Sequence, residues 1–169
     1  MSPAIIHAVT SLDERVLDAL YAQREFAVSI ALIDITALGS AITILGIGVC
    51  IALILALHHR RAEMIGLVAT LVGTALASTA IKELVARPDI YYQAYQETGY
   101  SFPSEHTALA TAFTVFLVYL ILRLTASARP HLRRAMRTIA ICFGIILAAS
   151  VGFSRVYLGV HYMSDVAAG

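Results

Sequence analysis

The sequence has no excess of either charge: twelve Lys and Arg stand against eleven Asp and Glu in 169 residues, a formal charge of +1. That balance supplies no basic field to hold nucleic acid, and this class of partner is excluded. Charge is scarce altogether, at 14% of residues, while apolar residues reach 59%; a soluble domain has about 25% and about 45–50%. The lipid bilayer is the expected solvent. Cysteine is nearly absent, and Cys50 and Cys142 each lie inside an apolar run, where sulfur acts as a small hydrophobe rather than as half of a disulfide framework. The amino-terminal segment lacks the basic-then-apolar pattern of a secretory signal and offers Asp13, Glu14 and Asp18 instead, so no removable signal is expected.

What is present is long stretches without charge, at 35–57, 64–81, 107–122 and 138–154. A helical crossing needs about 20 apolar residues, so the shorter runs must borrow flanking residues. The expected spans are 36–57, 64–82, 105–123 and 137–154, in a single domain over 1–169. The fold class is all-α, a polytopic membrane helix bundle. Small residues recur every fourth position through Gly48, Ala52 and Ala56 and again through Ala69, Gly73 and Ala77, which predicts close approach of helix backbones. Residues 11–33 mix charges with Val16, Leu20 and Ala27 at helical spacing and read as an amphipathic helix at the outer interface.

Cytoplasmic loops collect Lys and Arg. Arg60 and Arg61 lie between the first two spans, and Arg123, Arg129, Arg133, Arg134 and Arg137 surround the link between the last two. Both links are expected inside. The link between spans two and three and the segment after span four then face outward, where the basic residues are Lys82, Arg87 and Arg155. The outer link also carries Tyr91, Tyr92, Tyr95, Tyr100 and Phe102, expected as an aromatic belt at headgroup level.

Three clusters fall on that outer side: KELVARP at 82–88, PSEH at 103–106 and SRVYLGVHYMSD at 154–165. They hold three cations, two histidines and a well-placed carboxylate, the inventory of a phosphoryl-transfer site. His161 and Asp165 are four apart, so on one helix they share a face and the carboxylate accepts the Nδ1 proton, freeing Nε2 to attack. A helix beginning near Gly159 or Val160 would add its positive end beside an anion, and a purely structural His–Asp pair is the alternative. Ser104 stands in N-cap position for the third span, where capping competes with phosphate binding. His106 gains weight as a general acid only from a second histidine at the same depth; alone it is an interface residue.

These clusters resemble the three signature motifs of the type-2 phosphatidic-acid phosphatase superfamily, K-x6-R-P, P-S-G-H and S-R-x5-H-x3-D. The third matches in full at Ser154, Arg155, His161 and Asp165, and the second at Pro103, Ser104 and His106, with Glu105 in the glycine position. The segment DITALGS at 34–40 is also similar to bacterial members, so the likeness runs from there to the end. The resemblance implies that His161 attacks phosphorus to form a phosphohistidine, Asp165 orients it and His106 protonates the leaving oxygen. It implies that Lys82, Ser104 and Arg155 hold the phosphoryl oxygens, with Arg87 as a fourth ligand, and that no metal or other cofactor is needed. The implied substrate is a membrane lipid phosphate at the outer face of a bacterial plasma membrane: an isoprenoid pyrophosphate such as undecaprenyl pyrophosphate, phosphatidate, phosphatidylglycerophosphate or a lipid A phosphate.

The sequence departs from the pattern in three places. Asp89 and Ile90 occupy the family's arginine and proline positions, and Arg87 and Pro88 come two residues early. On a continuous helix Arg87 is rotated about 140° from Lys82, but Pro88 disfavours helical geometry at Arg87, and an exit there swings the guanidinium toward the phosphate. Its competitor is a salt bridge to Glu83. Glu105 adds a carboxylate near an anion site, where it points away, pairs with Arg155 or Lys82, or is protonated. After Asp165 come four residues where the family continues into a final span, which leaves a fragment or a shortened member as alternatives. Two other functions stay open: a metal-dependent hydrolase ligating through His106, Glu105, His161 and Asp165, and a non-catalytic protein that binds lipid headgroups.

Overall fold

The computed structural model describes residues 3–91, 93–97, 99–127 and 129–169, with side chains from residue 7 onward. Every regular element among them is helical: α1 (Pro3–Ala22), α2 (Phe26–Ala37), α3 (Ala41–Leu57), α4 (Arg61–Val85), α5 (Glu105–Leu124), α6 (Pro130–Tyr157) and the short α7 (Met163–Ala168). Four stretches are long and apolar enough to cross a membrane: Phe26–Leu57, Arg61–Val85, Glu105–Leu124 and Pro130–Tyr157. α5 is the central helix, packing chiefly on α6 and α4, while α3 lies on α4 and α2 on α6. The core follows from that order: Ile44 and Leu55 of α3, Leu67 and Leu71 of α4, Leu109, Phe113, Phe116 and Leu120 of α5 and Val151 of α6 form one buried cluster. Large apolar side chains such as Ile42, Leu57, Leu76 and Leu84 instead point outward, where lipid would meet them.

The expected amphipathic helix over 11–33 is broken in two. α1 ends at Ala22 and α2 begins at Phe26, with extended Glu25 between them (φ −108°, ψ 144°). The break is held by α6: Arg24 Nε donates to the Tyr157 carbonyl (3.1 Å), and the Glu25 amide donates to the Tyr157 hydroxyl (3.0 Å). α2 is apolar apart from Ser29, Asp34 and Thr36, and joins α3 through Leu38–Ser40, where Ser40 caps α3 by accepting from the Thr43 amide (3.2 Å). Gly39 is what lets this joint lie flat. A Cβ there would stand 2.5 Å from Val151 Cγ1 and 3.2 Å from the His106 carbonyl oxygen, so the α2–α3 joint packs on the Val151 side chain of α6 and on the backbone at the start of α5.

The two small-residue stripes fare differently. Gly48 approaches α4 closely, since a Cβ there would fall 2.6 Å from Leu71 Cδ1, whereas Gly73 has nothing within 4 Å and Ala69 and Ala77 are exposed. The expected close contact through Ala69, Gly73 and Ala77 is therefore absent among the described residues. That stripe lies on the outward side of α4, and α5 packs on the Leu67 and Leu71 side.

Candidate active site

The C-terminal end of α4, the N-terminal end of α5 and the C-terminal end of α6 meet at one end of the bundle, with the loop 86–104 and α7 laid over them. Lys82 sits in the last turn of α4 and its amine donates to the Tyr100 carbonyl. The helix stops three residues later because Ala86 is left-handed (φ 47°), its amide closing on the Lys82 carbonyl (2.8 Å). The chain thus leaves the helix just before Arg87, in line with the restriction imposed by Pro88.

The guanidinium does not go where that exit was expected to send it. Arg87 Nη1 donates to Asp165 Oδ1 (2.5 Å) and Ser164 Oγ (2.8 Å), and Nη2 to Asp13 Oδ2 (2.9 Å), with the group stacked 4.0 Å from the Tyr162 ring centroid. Neither a Glu83 bridge nor an arm free for phosphate is what the structure shows. Burial works against this charge, but Asp13 and Asp165 outweigh it and raise the guanidinium pKa further. Asp13, 1% exposed on α1, also accepts from the Ser164 amide (2.9 Å) and hydroxyl.

His161 and Asp165 are brought together, but not as two positions on one helix. α7 begins at Met163, and His161 lies in the turn before it. Its Nδ1 is 2.6 Å from the Ser101 carbonyl and 3.7 Å from Asp165 Oδ2. A carbonyl only accepts, so Nδ1 carries a proton and Nε2 is the ring nitrogen left to face a substrate. Nδ1 thus faces two acceptors, the nearer Ser101 carbonyl and the Asp165 carboxylate. Asp165 accepts from the Tyr162 amide through Oδ2 (2.9 Å) and from Arg87 through Oδ1. Burial opposes its ionisation, but His161, the Tyr162 amide and Arg87 together hold it below the usual carboxylate range.

Arg155 ends α6 fully buried, at 0% exposure. Its Nη1 donates to Thr36 Oγ1 (3.2 Å) and to the Tyr95 hydroxyl, and its Nη2 to Glu97. Tyr95, expected in an aromatic belt, is a site residue that also donates to Glu97 (3.3 Å), whereas Tyr91 stands 96% exposed, and Tyr92 lies outside the described residues. Glu97 is the residue that the sequence did not single out. Burial alone would raise its carboxyl, yet Arg155, His161 and His106 pull it below the ordinary range. Its Oε1 is 3.9 Å from His161 Nε2.

Ser104 occupies the N-cap position of α5 but makes no capping bond; its hydroxyl accepts from Thr107 (3.0 Å) and its amide donates to the Asp165 carbonyl (3.0 Å). Glu105 and His106 open α5 beside it, and Glu105 forms no ion pair among the described residues, since the partner of Arg155 is Glu97. No group of three or more His, Cys, Asp or Glu residues is placed to hold a metal among the described residues. Two buried nitrogens, Arg155 Nε and His161 Nε2, have no hydrogen-bond partner there. Buried polar atoms are rarely left so without a role.

A helical bundle of this hydropathy, with a buried imidazole and a buried guanidinium at one end, defines an integral-membrane protein equipped for phosphoryl chemistry. The PAP2 superfamily model matches residues 62–169, and the chain belongs to that superfamily. It is 33% identical over 172 residues to phosphatidylglycerophosphatase B of Bacillus subtilis (strain 168), covering 98% of this chain and 81% of that one. A crystal structure of a transmembrane PAP2-type phosphatidylglycerolphosphate phosphatase from Bacillus subtilis superposes with a TM-score of 0.81 at 28% identity, covering 96% of this chain and 80% of that one. Aquifex aeolicus LpxE shares the fold, with a TM-score of 0.60 at 17% identity over 92% of this chain and 86% of its own. The protein is a lipid phosphatase, a phosphoric monoester hydrolase embedded in the membrane.

Proposed function

We propose that the protein removes a terminal phosphate monoester from a glycerophospholipid of the phosphatidylglycerophosphate type at the outer face of a bacterial plasma membrane, without a metal. The observation that carries this reading is His161: buried at 2% exposure, its Nδ1 proton fixed on Ser101, and its Nε2 unpartnered near Arg155. Nε2 attacks phosphorus as the ester P–O bond breaks, His106 gives its proton to the departing oxygen, and water then cleaves the N–P bond of the phosphohistidine to release phosphate. Lys82, Ser104 and Arg155 hold the phosphoryl oxygens. Arg87, committed to Asp13 and Asp165, serves by fixing Asp165 and the turn that carries His161. Lys82 and Arg155 then supply two positive charges, which match a phosphomonoester of about −2 better than the larger charge of a pyrophosphate. The outer-face assignment rests on the five arginines at the opposite end of the bundle, from 123 to 137.

The test is phosphate release by purified protein in mixed micelles with phosphatidylglycerophosphate, phosphatidate or an isoprenoid pyrophosphate, with chelator present. The expected result is release that favours the monoesters, an acid-labile phosphoprotein intermediate, and loss of both in folded His161→Ala. Equal release by the two proteins would overturn the assignment of the nucleophile.

A further inference from the structure

Glu97 is unlike the other acidic residues near the site, because its carboxylate spans the two groups that the reaction needs. One oxygen pairs with the Nη2 of Arg155, and the other is 3.9 Å from His161 Nε2. A phosphorus atom poised for attack stands about 3–3.5 Å from its nucleophile, with its oxygens on the neighbouring guanidinium. That is the volume the Glu97 carboxylate fills. The pairing also answers a need of the resting protein, since an arginine at 0% exposure requires a counter-charge.

We infer that Glu97 is an internal stand-in for the substrate's phosphate, and that the phosphate enters by exchanging with its carboxylate on Arg155. This rests on the active-site reading above and extends it to how the site is filled. The exchange is mechanically open. Glu97 lies on the loop between α4 and α5 and its side chain is 29% exposed, so it has a way out. Among the described residues its turn is tied by the Glu97 amide donating to Gln93 Oε1 (3.1 Å), by Tyr95 reaching its carboxylate, and by the Ala94 amide donating to the Leu158 carbonyl (2.8 Å). Tyr95, which accepts from Arg155 and donates to Glu97, is placed to stay on the guanidinium when the carboxylate leaves. Its phenol, raised by burial, stays protonated as a donor.

The experiment measures binding of inorganic orthophosphate to the detergent-solubilised full chain, by calorimetric titration and by the phosphate-induced rise in thermal midpoint. It compares wild type with Glu97→Gln, which keeps the shape and removes the charge. The variant is expected to bind phosphate at least tenfold more tightly, to be less stable than wild type without phosphate, and to recover that loss when phosphate is added. Its KM for a lipid phosphate falls in parallel. Gln93→Ala, which leaves both charges in place and frees the turn, shifts phosphate binding in the same direction by a smaller factor and carries the test if Glu97→Gln does not fold. Phosphate binding that is unchanged or weakened in the folded variants overturns the inference. Tighter phosphate binding by Glu97→Gln, with no turnover of any lipid phosphate by wild type, would instead overturn the proposed function and leave the inference standing.

Discussion

Replacing Arg87 separates two roles that lead to different kinetics. In Arg87→Ala the carboxylates of Asp13 and Asp165, with side chains 2% and 0% exposed, lose their shared cation. Breaking a buried pair from one side costs about 3–5 kcal/mol. A stranded carboxylate escapes by taking a proton, at about 1.4 kcal/mol per pH unit, or about 4 kcal/mol between its ordinary value near 3.9 and pH 7. Asp13 keeps the Ser164 amide and Asp165 keeps the Tyr162 amide, so the expected loss of stability lies at the lower end, about 3 kcal/mol. Arg87→Lys recovers only part of this, because an ammonium is a compact charge that does not fork between two carboxylates.

In the assay, folded Arg87→Lys and Arg87→Ala are compared with wild type for thermal midpoint in detergent and for kcat and KM on one lipid phosphate. A residue that fixes Asp165 from behind lowers both the midpoint and kcat while leaving KM within about twofold. A phosphate ligand raises KM and weakens product inhibition by phosphate, with the midpoint unchanged. The second pattern would refute the positioning role and restore the contact that the sequence motif suggests.

Two further predictions follow from packing and charge. Gly39→Ala forces a methyl to 2.5 Å from the branched Val151 side chain and is expected to destabilise by about 1–3 kcal/mol, whereas Gly73→Ala, with open space around it, is neutral or gains up to about 1 kcal/mol of helix propensity; equal midpoints for the two would show the packing of the α2–α3 joint on α6 to be loose. The Asp165 carboxyl is held below its unfolded value, so its contribution to stability is complete above that value near 3.8 and is lost as pH falls through the lower folded value. Acid titration of the thermal midpoint is therefore expected to show a stability loss below about pH 4 that is flattened in Asp165→Asn, and an unaltered acid limb in that variant would contradict the assignment.

The spans were legible because burying apolar side chains in lipid needs only length and hydropathy, and the SRVYLGVHYMSD cluster was legible because its spacing is local. Residues supplied across the fold were not. Asp13 reaches Ser164 from the other end of the chain, and no spacing rule connects them. Tyr95 and Glu97 sit in a loop without periodicity, where a tyrosine among tyrosines suggested only an interface, and their assignment depends on the buried end of α6 that they cover. The break between α1 and α2 has no Pro or Gly to announce it; it is made by hydrogen bonds from Arg24 and Glu25 to Tyr157. The spacing of His161 and Asp165 pointed to the right pair but not to its geometry, because the local chain turns before α7 and brings the Nδ1 of His161 to a carbonyl from the loop ahead of α5 as well as to Asp165.

Arg87 and the amino-terminal helix are bound to each other through Asp13. At residue 87 the guanidinium emerges behind Asp165, and Asp165 alone occupies only one of its terminal nitrogens. A second acceptor comes from α1, which packs on α7 as α6 and α5 do. Asp13 supplies it, and through Ser164 it also ties the first turn of α7 to α1. The amphipathic helix is thereby fastened to the segment that carries His161. A force that moves α1, such as a change in lipid packing at the interface where it would lie, therefore acts on the same hydrogen-bonded set that positions Asp165.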